Sequence, residues 1–133
     1  MDQETTRPEL RIAPHQVSGL LAELGAQGYT TYAIGPAKDG EEFFQSVSRN
    51  LPLKPRLREA YAWDELIPSL WNGIEALNVS KVAILWILPD QMRDWSPEEY
   101  VLADEALATV AQQFDEATED GERPVELKIY MIY

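Results

Sequence analysis

The amino-acid sequence predicts an α/β fold, a small three-stranded parallel sheet covered by helices, and three observations carry that prediction. Residues 81–88 form a nearly continuous apolar run of strand length, as seen where a strand is covered on both faces. Two further strand-like stretches, 29–34 and 125–133, are separated from it by segments with apolar residues at helical spacing. Strands joined through helices favour right-handed crossovers into a parallel sheet. The 133 residues suit one domain spanning 1–133, and a hydrophobic content of 45% with four Trp, six Tyr and three Phe is enough for one core.

Taken in order, residues 1 to about 12 read as polar and frayed, with Pro8 and Pro14 restricting the backbone around Arg11 and Ile12. An N-terminal helix is expected over about 14–26. Pro14 suits its first turn, Val17, Leu20, Leu21 and Leu24 form its buried stripe, and Gly25 and Gly28 supply the stop. His15, the single histidine, reads as a surface residue in that first turn. Residues 29–34 are rich in aromatic and β-branched side chains and end at Gly35-Pro36, which predicts a strand. The next helix starts at Asp39 or Gly40, carries Glu41 and Glu42 at its positive end, and turns Phe44, Val47 and Leu51 inward.

Pro52 and Pro55 break that helix into a connector that holds a basic cluster, Lys54 and Arg56, with a turn of helix expected around 57–61. The segment 63–77 then shows Ile67, Leu70, Trp71, Ile74 and Leu77 on one side and Glu65, Pro68, Asn72 and Glu75 on the other. Asp64 is its N-cap candidate. Pro68 would then fall where an amide should bond back, so either the regular helix begins near Pro68 or its first turn is distorted. Asn78 is the expected terminator. After the strand at 81–88 a polar loop is expected through Trp95. Ser96-Pro97-Glu98-Glu99 has the pattern of a helix start, with Ser as N-cap, Pro first in the helix and Glu three residues after the Ser. That helix buries Tyr100, Ala103, Leu107, Val110, Phe114 and Ala117 and ends by Gly121. In the last strand Val125, Leu127, Ile129, Met131 and Tyr133 alternate with Glu126, Lys128, Tyr130 and Ile132.

The sequence has no cysteine, which excludes disulfides, thiolate metal sites and cysteine nucleophiles. It contains no phosphate-cradling Gly loop, no GxSxG and no HExxH motif. The acidic stretch 115–126 fails the EF-hand pattern, with Ala117 at a ligand position and Asp120 where the Gly belongs. No cofactor, no metal and no enzymatic activity are expected. Charge is more informative. The formal net charge is -12, and it is lopsided: residues 1–58 hold seven acids and seven bases, residues 59–133 sixteen acids and four bases. Nucleic-acid binding and docking on an anionic membrane need the opposite balance. No apolar run approaches membrane length and no leader is apparent, so a cytoplasmic protein is expected. The acidity either keeps the chain soluble or meets a partner with a basic surface.

The order of elements and three stretches resemble the barstar-like family of intracellular ribonuclease inhibitors, over roughly residues 29–133. Trp63-Asp64-Glu65-Leu66 followed by Ser69-Leu70-Trp71 is similar to the family's second helix. Val82-Ala83-Ile84-Leu85-Trp86 is similar to the aliphatic strand after it, and Phe114-Asp115-Glu116-Ala117 with the closing strand to the family's last helix and strand. The resemblance implies a barstar-like fold and an immunity protein whose carboxylates enter the basic active site of a toxin nuclease in place of phosphates. Residue by residue it carries over to Asp64, at the first helix acid, and Glu116, at the contact Glu of the last helix; partner contact is expected through Tyr61, Trp63, Asp64, Glu65, Asn72 and Glu116, with a monomer when free. The family's second helix acid falls on Pro68, or on Asn72 in a register shifted by four, and Ala60 and Ala62 stand at its Gly and Asn places. The alternative implied by those departures is a non-inhibitory interaction module that keeps the scaffold and has moved its binding surface.

Overall fold

The computed structural model describes residues 9–57, 62–119 and 125–133. In chain order these form β1 (Glu9–Ile12), a 3-10 turn (Pro14–Gln16), α1 (Val17–Ala26), β2 (Thr30–Ile34), α2 (Gly40–Asn50) and α3 (Trp63–Ala76). There follow β3 (Lys81–Ile87), α4 (Pro89–Trp95), α5 (Pro97–Glu119) and β4 (Glu126–Ile132). All strand pairs are parallel and the sheet order is β1-β4-β3-β2, so the fold is α/β with four strands rather than the three expected from sequence. The helical turn expected around 57–61 falls, but for Leu57, outside the described residues, and so does the stop expected at Gly121.

Register explains why the apolar run of β3 is continuous. On one face Ile84 lies opposite Tyr32 and Ile129, and Trp86 opposite Ile34 and Met131. This face carries the larger core, closed by Phe43, Phe44 and Val47 of α2, Leu66, Leu70 and Ile74 of α3, and Ala103, Leu107 and Phe114 of α5. The alternate residues Ala83, Leu85, Tyr130 and Ile132 face a smaller core covered by α1 through Leu24, with Val17 and Leu20 half-buried. Leu21, expected in that stripe, is 43% exposed because α1 alone covers this face. Tyr130 and Ile132 are buried because both faces of β4 are covered.

Two elements depart from the sequence expectation. The terminus expected to fray holds β1, whose Leu10 lies opposite Tyr130 and Ile12 opposite Ile132. Four residues between prolines show too little alternation to stand out, and their strand exists through pairing with β4. The loop expected after β3 is α4, which Pro89 starts and buried Met92 anchors. Leu88, at the join, adopts the left-handed region (φ 51°, ψ 55°) before Pro89, and its amide donates to the Ile132 carbonyl at 2.8 Å. That conformation costs a non-glycine residue about 1–2 kcal/mol and turns the chain sharply from strand to helix. The expected helix over 14–26 begins as the 3-10 turn, and Gly28 (φ 87°) ends its exit.

Candidate functional site

The site is built on α3 and on the connector that straps it to the core. Asp39 accepts from the Glu42 amide at 3.0 Å and fixes the start of α2; the connector then crosses α3 where Gly73 has no side chain. The Lys54 amide donates to the Ser69 carbonyl at 3.0 Å, and the buried Ser69 hydroxyl donates to the Pro55 carbonyl. Lys54 is therefore held beside the helix.

α3 begins at Trp63 with Ala62 as its N-cap, which corrects the assignment of Asp64 as the cap. Asp64 and Glu65 instead occupy the first turn, where the helix dipole favours carboxylates. The helix runs through Pro68, which offers no amide to the Asp64 carbonyl, so the distorted-turn alternative describes α3 better than a late start. Leu66, Ser69, Leu70, Gly73 and Ile74 are buried. Asp64, Glu65, Pro68, Asn72 and Ala76 are exposed and, at helical spacing, share one face.

Beside this face α3 packs on α5. The Trp71 ring stacks on buried Phe114 with centroids 3.9 Å apart and planes 19° apart, and Trp71 in turn lines a groove of about 490 Å³. Ile67, Pro68, Trp71, Asn72, Gln113, Glu116 and Ala117 line it. The structure thus brings Asn72 and Glu116, expected from sequence, into one groove. Gln112 donates to Glu116 at 3.3 Å, leaving a carboxylate at the rim. A second hollow of about 470 Å³ on the other side of Asn72 is lined by Lys54, Pro55, Glu75 and Ala76.

The other expected contacts separate. Asp64 and Glu65 lie on the exposed face of α3 but line neither hollow. Trp63 is half-buried and packs into the core, its ring 4.6 Å from Phe44 and 5.8 Å from Phe43, so it is first a packing residue. Tyr61 lies outside the described residues. Sequence reasoning missed Gln113. It sits three residues before Glu116, and the Phe114 and Ala117 stripe was the available signal that both would border α3.

A larger concavity, about 550 Å³, lies at the amino ends of β3 and β4 between Lys81, Asp115 and Glu126. Its polar groups are largely engaged elsewhere. The Tyr29 hydroxyl donates to Glu126, Lys128 pairs with Glu126 at 3.6 Å, and Lys81 donates to the Gln27 carbonyl at 3.0 Å. That hydrogen bond from Tyr29 is the main cause holding the Glu126 carboxyl below its usual range, while burial, helped by Glu126, raises Tyr29. The groove between α3 and α5 is the better candidate because its polar side chains face outward with few internal partners. Among the described residues no group of three or more His, Asp or Glu gathers as a metal site, and no helix is long and apolar enough to cross a membrane. Comparisons with protein-family models, curated proteins and solved structures return no match.

Proposed function

We propose that the chain is an immunity-type inhibitor that binds a basic toxin nuclease through the exposed face of α3 and the adjoining α5 rim. The observation that carries this reading is the convergence of Asn72 and Glu116 on one apolar-floored groove beside a helix face bearing Asp64 and Glu65. Interfaces take their affinity from buried aromatic and aliphatic anchors and their on-rate and specificity from complementary charge. Here Ile67, Pro68 and Trp71 supply apolar area and the carboxylates supply the field. The excess of acids after residue 58, sixteen against four bases, adds to that field. The partner is a protein with a cationic cleft, and the carboxylates act there as phosphate mimics. The proposed site of action is the cytoplasm, with no direct nucleic-acid contact.

A second reading is a non-inhibitory interaction module on the same scaffold, and Pro68 favours it. The stripe from Asp64 to Asn72 has an uncharged proline at its centre, which weakens any mimicry of consecutive phosphates. Calorimetric titration of the intact chain against basic nucleases encoded beside its gene, with nuclease activity read in parallel, separates the two. Stoichiometric inhibition supports the inhibitor. Binding without inhibition supports the module, and no binding at micromolar concentration overturns the inhibitor.

A further inference from the structure

At the opposite edge of the sheet from β2, two arginines share one aromatic ring. The Arg11 guanidinium carbon lies 4.3 Å from the Tyr133 ring centroid, and that of Arg93 lies 5.8 Å from it. Three elements meet there: Arg11 comes from β1, Arg93 from α4, and Tyr133 follows β4. Register places Arg11 opposite Met131, and the Tyr133 amide donates to the Ile12 carbonyl at 3.1 Å, which fixes the ring beside β1.

This convergence runs against the charge of the molecule. The chain has 23 acids and 11 bases, yet two cations gather on one ring. Among the described residues Arg11 pairs with no carboxylate, and Arg93 meets only its neighbour Asp94, at 3.7 Å in an exposed pair that stabilises little. A tyrosine face offers each exposed cation about 0.5–1 kcal/mol, which leaves both guanidiniums able to take a further anionic partner. Apolar surface adjoins them in the chain: Leu10 is 47% exposed and Trp95, at the end of α4, is 74% exposed. Trp, Tyr and Arg are the residues that dominate protein interfaces.

We propose that Arg11, Tyr133 and Arg93 form a docking surface for an acidic extended segment of a partner protein, separate from the α3–α5 face. β1 is the outermost strand of the described sheet and offers an edge along which an extended chain can lie. Carboxylates of the segment then meet the planar guanidiniums as charge-assisted hydrogen bonds. Charge complementarity selects this occupant.

The test is fluorescence anisotropy of a short dye-labelled peptide alternating Glu with Tyr and Leu, titrated with the intact chain at low ionic strength. The Glu→Gln peptide is the control. The acidic peptide binds, the neutral one does not, and R11Q/R93Q weakens binding about tenfold or more. K38Q/R49Q, which removes the same charge around α2, leaves it unchanged. Equal binding by both peptides, or an R11Q/R93Q variant with unaltered affinity, overturns the proposal. So does displacement of the peptide by inorganic phosphate, which makes this a phosphate site. Self-association abolished by R11Q/R93Q overturns it too, by making the occupant a second copy.

Discussion

A Cβ placed on Gly73 would collide with the Pro52 carbonyl group and stand 3.0 Å from the Leu53 amide nitrogen. The obstacle is backbone, so Gly73→Ala must push the connector off α3 and disturb the Ser69 and Lys54 contacts with it. Loss of about 2–3 kcal/mol or more of unfolding free energy is expected in urea titration, although Ala is the better helix former. Glu99 is a second single-residue lock. Its pattern after Ser96 suggests a capping box, yet its carboxylate accepts from the Gly40 amide of the neighbouring helix at 2.6 Å. Glu99→Ala should cost about 1–2 kcal/mol, with α2 as the element loosened in hydrogen exchange. The pair of Tyr29 and Glu126 adds a pH signature. Glu126 is depressed in the fold, so its contribution is present above its ordinary value of 4.5 and fades as pH falls through the folded value. Tyr29 is raised, so its contribution is complete below 10.0 and fades as pH rises through its folded value. The stability difference between the chain and Tyr29→Phe, measured by urea titration against pH, should be flat between those limits and shrink on both sides.

At the scale of elements, α3 was the most legible and the most instructive. Its buried stripe of Leu70 and Ile74 follows from three-and-four spacing, and so does the exposed face with Glu65, Pro68 and Asn72. Its start was not legible, because Asp64 looks like a cap whereas packing of Trp63 on Phe43 and Phe44 draws the start of the helix back into the core. β1 and α4 were hidden for a related reason. Each is short, and each depends on a partner outside its own segment: β4 for Glu9–Ile12, α5 for Pro89–Trp95. The groove was half legible, since Glu116 and Asn72 stood out by charge and face, whereas their proximity depends on Trp71 stacking on Phe114. Pro68 lets this element be tested directly. Pro68→Ala restores an amide to the Asp64 carbonyl and should stabilise the fold by about 1–2 kcal/mol in urea titration. Pro68→Glu adds a carboxylate to the exposed stripe and, under the inhibitor reading, should tighten a basic partner and steepen the salt dependence of its association.

For the whole molecule, the parallel α/β class was legible because an apolar run such as that through Ile84 and Trp86 needs cover on both faces, which helices joining parallel strands provide. Strand number was not, since β1 shows only in its pairing with β4. Charge divides the surface into two regions of different chemistry: the carboxylates of α3 and the α5 rim, and the arginines on Tyr133. The central claim is that the first region meets a basic partner. It is tested most directly by calorimetry of a basic nuclease encoded beside the gene against the chain and against D64N/E65Q/E116Q, with E23Q/E41Q/D94N on α1, α2 and α4 as a charge-matched control. Affinity lower by on the order of a hundredfold for the first variant, with the control near the parent, is the predicted result. Equal losses in both variants, or none in D64N/E65Q/E116Q, would contradict it.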